Sequence, residues 1–151
     1  MQELAASLGG CELVKLTDGV ERAGIIGWVR SGLDAMARHV PPVERPETKL
    51  PLGEYDLVIV GTPVWAGRCS APARSFLLQF GEELRAAAWV ITRGSDVRYE
   101  EVFGQMDLYV KTPHRAALTI RPGMVGAEFW KTEFLKAVRT AEDAGEGGHA
   151  G

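Results

Sequence analysis

The apolar positions of this chain follow two alternating periods. Short unbroken apolar runs suit strands buried on both faces, and stretches with apolar residues every three or four positions suit helices packed on one side. Met1 to Leu8 places Leu4, Ala5 and Leu8 on one helical face, and Gly9-Gly10 stops it. Cys11 to Leu16 alternates as a strand with one wetter side does. Thr17-Asp18-Gly19 is a turn, and a helix is expected over Ile25 to Arg38 within a glycine-broken pattern. Val40 to Gly53 holds four of the eight prolines and reads as an extended connector inside one domain. Leu57-Val58-Ile59-Val60 is a buried strand. Pro63 has no N–H for a ladder and is expected to take the chain out of the sheet, leaving a loop from Pro63 to Ser70.

The same alternation continues to the end. Ser70 is the expected N-cap and Pro72 a first-turn proline of a helix carrying Phe76, Leu77 and Phe80, with Gly81 beyond it. Ala86 to Ile91 is a strand followed by a Thr92-Arg93-Gly94-Ser95-Asp96 loop. Tyr99 to Lys111 is a helix, Ala116 to Ile120 a strand, and Ala127 to Glu142 a last helix with an apolar face of Phe129, Trp130, Phe134, Leu135 and Val138. Strand followed by helix, repeated, means a parallel sheet covered on both faces. Residues 1–142 form one expected domain, and Asp143 to Gly151, small and polar, a disordered tail.

The stretch from Tyr55 to Phe80 carries the most information. Tyr55-Asp56, the apolar strand, Gly61-Thr62-Pro63-Val64-Trp65-Ala66-Gly67 and the Ser70-Ala71-Pro72 helix start resemble the flavodoxin-like family. The likeness is to its small bacterial FMN-binding flavodoxin and NAD(P)H-dependent reductase members. The resemblance implies an α/β, three-layer flavodoxin-like parallel sheet with helices on both faces. It implies FMN as cofactor, with the first loop packed beside the flavin ring and an aromatic residue stacked on it. The implied cofactor-binding residues are Thr62, Pro63, Val64, Trp65, Ala66 and Gly67, with Thr92, Arg93 and Gly94 in the second loop. Trp65 reads either as a wall of the flavin site or as a core residue closing the top of the sheet; its place on a loop favours the first. Thr62, Ala66 and Gly67 offer a hydroxyl and N–H groups to the ring edge, or serve as turn residues. Arg93 departs from the small residues expected there. It pairs with a flavin oxygen or a pyridine-nucleotide phosphate, or is solvated.

A complete domain of this family resembles the present chain with one more strand in front, in spatial order 2-1-3-4-5, followed by a Ser/Thr/Gly loop that holds the phosphate. Thr17-Asp18-Gly19 and Ser31-Gly32 do not supply that loop. The first strand is therefore expected to be missing, either because the true start lies upstream of Met1 or because the sheet carries a hole that a partner chain or a sliding strand fills. Two functions follow. One is an FMN-binding redox protein, an electron carrier or NAD(P)H-dependent reductase. The other is a cofactor-free remnant or interaction module without the phosphate site.

Composition narrows the classes further. The 151 residues carry a net charge of -3, which argues against general affinity for nucleic acid. No apolar run approaches the ~20 residues of a membrane helix, and no secretory signal opens the chain. Cys11 and Cys69 form no metal-ligand spacing, which fits a cytoplasmic protein with free thiols. No side chain stands out as an acid, base, nucleophile or metal ligand. His39, His114 and His149 read as structural, and Trp28, Trp89 and Trp130 as core. NAD(P)H, a redox partner protein and a second copy of the chain are the expected partners.

Overall fold

The structure, a computed structural model, describes residues 1–16 and 42–146. The expected turn at Thr17, the helix over Ile25 to Arg38 and the last five residues lie outside them. Helix α1 spans Gln2–Leu8. Strand β1 runs Val58–Trp65 and folds back on a two-residue strand β2, Arg68–Cys69. Helix α2 follows at Ala71–Phe80, then β3 at Ala87–Thr92, α3 at Glu101–Asp107, β4 at Ala116–Ile120 and α4 at Ala127–Glu146. Short 3-10 turns at Leu52–Glu54 and Gly81–Glu83 precede β1 and β3.

The sheet order is β2-β1-β3-β4. β1, β3 and β4 are parallel, with Val58 opposite Ala87 and Ala88 opposite Ala116. β3 is the central strand and is buried along Ala87 to Ile91, as a strand covered on both faces must be. Its odd residues, Ala87, Trp89 and Ile91, pack with Phe76 and Leu77 of α2 and Val102, Phe103 and Met106 of α3. Its even residues, Ala88 and Val90, pack with Leu4 of α1 and Phe134 and Val138 of α4. The period of two along one strand thus builds two cores, one on each face, and three layers.

Five expectations change. β1 continues through Pro63 to Trp65 instead of leaving the sheet. In a parallel strand alternate residues point their backbone groups to opposite sides. Val58 donates to the Ala86 carbonyl, so Val58, Val60 and Thr62 face β3. Pro63 faces the other way, where no ladder bond is lost. Cys11 to Leu16 forms no strand. The Glu12 carboxylate instead takes the Tyr55 hydroxyl at 2.5 Å and the Lys49 N–H at 3.1 Å, which hold it below the usual carboxylate range and tie the segment to the connector. Phe129 and Trp130 are not core: they are 59% and 45% exposed, stacked edge to face on α4, while Phe134 and Val138 turn inward. The third helix is shorter than expected, Glu101–Asp107, and Asp107 at its end joins a side-chain cluster. The backbone of α4 continues to Glu146, past the expected end at Glu142.

That cluster joins three elements below the sheet. Asp107 Oδ1 accepts the Trp89 Nε1–H at 2.8 Å and the His114 N–H at 3.0 Å. The His114 Nδ1 lies 2.9 Å from both carboxylate oxygens. Burial pushes the Asp107 carboxyl up, and the hydrogen bonds from Trp89 and His114 outweigh it, leaving the group below the usual range. His114 is thus structural, paired with a carboxylate that lies seven residues away in sequence.

Candidate functional site

Parallel register brings the two sequence-predicted loops to one edge. Pro63 lies opposite Thr92, and Thr92 opposite Ile120, so the turns after β1, β3 and β4 all open at the carboxyl end of the sheet. This is where open α/β sheets bind ligands.

The segment after β1 is a hairpin, not a loop. Val64 pairs with Cys69 and Trp65 with Arg68, leaving Ala66 and Gly67 as a two-residue turn. Both have positive φ, 49° and 71°, the signature of a type I′ turn that matches strand twist. Gly67 adopts this freely, whereas Ala66 is strained by its Cβ. Ala66→Gly is expected to stabilise the fold by about 1 kcal/mol in urea unfolding, because it relieves that strain without touching a buried contact.

Thr62 sits beneath the hairpin, 3% exposed. Its hydroxyl accepts the Ser70 N–H at 2.9 Å and lies 2.9 Å from the Ser70 hydroxyl. Ser70 precedes α2 as expected, but its side chain bonds Thr62 and not the helix, so the pair fixes the hairpin base to the start of α2. Pro63 and Ala66 are exposed, and Val64, Trp65 and Gly67 half-buried. Cys69 is buried, and burial pushes its thiol up, which keeps it protonated and unreactive.

On the second loop Thr92 and Gly94 are exposed while Arg93 is 7% exposed. The Arg93 guanidinium donates to Thr119 Oγ1 at 3.2 Å, to the Ser95 carbonyl and to Met124 Sδ at 3.5 Å. Among the described residues all its partners are neutral, so a buried positive charge stands at the carboxyl edge of the sheet with no carboxylate among those residues bonded to it. Sequence reasoning missed several residues around it. Gln105 of α3 donates to the Gly67 carbonyl at 3.3 Å and ties the hairpin to α3. Tyr99, at φ 55°, accepts the Ser95 hydroxyl at 3.3 Å and shapes the second loop. Arg121 pairs with Asp96 at 2.9 Å. No motif marks these positions; Tyr99 is close in sequence, while Gln105 and Arg121 reach the loops only through the fold.

A cavity of about 860 Å3 lies beside this edge. It runs along β1 from Leu57 to Pro63 and reaches Ser70 and Pro72 at the start of α2, but does not extend to Thr92, Arg93 or Gly94.

No protein-family model matches the chain, and neither does any curated protein. A solved structure is similar: a flavoprotein in complex with FMN from Lactobacillus acidophilus NCFM, with a TM-score of 0.61 and 16% identity over 85% of this chain and 86% of that one. The fold is flavodoxin-like. At that identity the likeness concerns the arrangement of strands and helices. Among the described residues no helix is long and apolar enough to cross a membrane, and no group of three metal-ligating side chains occurs.

Proposed function

We propose that this chain is an FMN-binding redox protein, an electron carrier or an NAD(P)H-dependent reductase. The supporting observation is that Pro63, in the strand that leads into the Trp65 hairpin, lies opposite Thr92, next to the buried Arg93 whose partners among the described residues are neutral, at the carboxyl edge of a flavodoxin-like sheet. An electron-rich aromatic side chain suits a planar, electron-poor ring, and a fixed cation suits the carbonyl oxygens at its edge, where negative charge gathers on reduction. Pro63 to Gly67 would flank the ring, with Thr62 holding the hairpin from below. Thr92 and Gly94 would let the ring edge approach, and Arg93 would oppose negative charge on the pyrimidine side. The flavin, when bound, supplies the electron or hydride chemistry, and the protein orients it and sets its electrostatics. A redox partner protein or NAD(P)H, and a second copy of the chain, belong to the same proposal.

The fit is to the ring. Among the described residues no strand-to-helix turn offers the hydroxyl- and glycine-rich cradle that a phosphate requires, and this favours the second reading, a cofactor-free interaction module. One titration decides between them. Adding FMN and following its fluorescence is expected to show saturable quenching at micromolar concentration, about -8 kcal/mol, weakened roughly tenfold in Trp65→Ala. A folded, soluble chain that leaves FMN fluorescence unchanged would sink the flavin reading.

A further inference from the structure

We propose that Met124 is a site of reversible oxidation by hydroperoxides, and that Arg93 captures the sulfoxide formed there. The reading goes beyond flavin binding and does not depend on it.

The site rests on a mismatch of donor and acceptor. Arg93 is 7% exposed, and its guanidinium donates to the Thr119 hydroxyl, to the Ser95 carbonyl and, through Nη2, to the Met124 thioether at 3.5 Å. A hydroxyl and a carbonyl are ordinary acceptors, whereas a thioether sulfur is a weak one. Nη2 of a buried cation thus meets the poorest acceptor of the three. Both sides of this contact are held by backbone. The Arg93 N–H donates to the Ile120 carbonyl at 3.0 Å. The Met124 N–H donates to the Arg121 carbonyl at 3.1 Å, and the Met124 carbonyl accepts the Ala127 N–H at 3.3 Å. A turn tied on both sides therefore presents Sδ to Nη2.

The sulfur is also within reach of a small oxidant. Met124 is half-buried between exposed Gly123 and Val125 in the turn after β4, whereas Met106 is 0% exposed in the core. With hydrogen peroxide, a sulfur lone pair attacks one peroxide oxygen. The S–O bond forms as the O–O bond breaks, and sulfur gives up two electrons. The departing hydroxide takes the proton left on the transferred oxygen and becomes water. Two thiols of a reductase reverse the step, ending as a disulfide while the oxygen leaves as water. Oxidation of a methionine in a core disrupts packing. Here it sets a polar oxygen beside a buried cation, and a hydrogen bond with one charged partner is about twice as strong as a neutral one. The modification should therefore tighten the second loop onto the turn after β4.

The test treats the full chain with limiting hydrogen peroxide, maps each methionine by peptide mass spectrometry and follows thermal unfolding. Met124 should oxidise at least about tenfold faster than Met106, and the unfolding temperature should rise by about 3 °C. Met124→Leu should abolish that rise. Met124→Gln carries an oxygen on its δ atom, as the sulfoxide does on Sδ, and should unfold about 3 °C above Met124→Leu with no oxidant present. In an Arg93→Leu background, Met124→Gln and Met124→Leu should unfold alike, which ties the gain to the guanidinium. Should Arg93→Leu not fold, the two Met124 variants in the parent chain carry the test. The proposal is overturned if Met106 oxidises as fast as Met124, or if oxidation leaves the unfolding temperature unchanged or lowers it. It is equally overturned by the same rise in Met124→Leu, or by Met124→Gln unfolding no higher than Met124→Leu.

Discussion

Gly81→Ala is expected to lower the unfolding temperature by roughly 10 °C, a loss of about 3 kcal/mol. Gly81 ends α2 with ordinary helical φ of -57°, so its backbone does not demand glycine. The demand is steric. A Cβ there would stand 2.2 Å from the Tyr109 carbonyl oxygen and 3.0 Å from its carbonyl carbon. Both are backbone atoms in the turn after α3, and neither can swing away as a side-chain tip can. Relief requires α2 and α3 to part, and these helices share the core around Trp89. Gly104→Ala is the control: it lies inside α3 with nothing within 4 Å of its Cβ position, and should stabilise by about 0.5–1 kcal/mol. Thermal unfolding of the two variants beside the parent separates a clash from a general glycine effect. Equal shifts in both would refute the steric account.

Asp107→Ala is expected to cost about 2–3 kcal/mol at neutral pH by urea unfolding. It leaves the Nε1–H of Trp89, whose residue is 0% exposed, without its acceptor, and it frees His114 and the start of β4. Asp107→Asn keeps an oxygen for Trp89 and should cost about half as much. The pH dependence has a definite sign. The folded carboxyl lies below its ordinary value, so its stabilisation is complete above the unfolded value and is lost as pH falls through the folded one. The gap between parent and variant should therefore narrow below about pH 4, and a gap that widens on acidification would contradict the assignment.

Much of the fold is legible in the residues. The apolar runs of β1, β3 and β4 and the helix starts at Ser70 and Gly126 lie within a few positions of where pattern places them, because burial on two faces leaves a run that polar surface cannot imitate. The failures have separate causes. Pro63 ends a strand only if its nitrogen faces a neighbour, and that depends on register. Cys11 to Leu16 has a strand's alternation, but a strand also needs a partner ladder, which sequence period does not encode. Phe129 and Trp130 have helical spacing, yet the arc of α4 that meets the sheet is narrower than its apolar face. At the candidate site, Trp65 and Arg93 were found through a short motif and its following loop. Gln105 and Arg121 come to the two loops, at Gly67 and Asp96, only through pairing of segments distant in sequence, whereas Tyr99 and Asp96 lie a few residues past Arg93 and carry no motif.

The tightest backbone approach, Gly81 on Tyr109, and the Asp107, Trp89 and His114 cluster both lie at the amino end of the sheet. The Trp65 hairpin and the turns after β3 and β4 lie at the other. The chain therefore divides mutational tolerance between its two ends. Substitutions at exposed Pro63, Thr92 or Gly94 can accumulate with little effect on folding, and selection or directed evolution for a new ligand can work there. The opposite end is constrained to keep the scaffold while that happens.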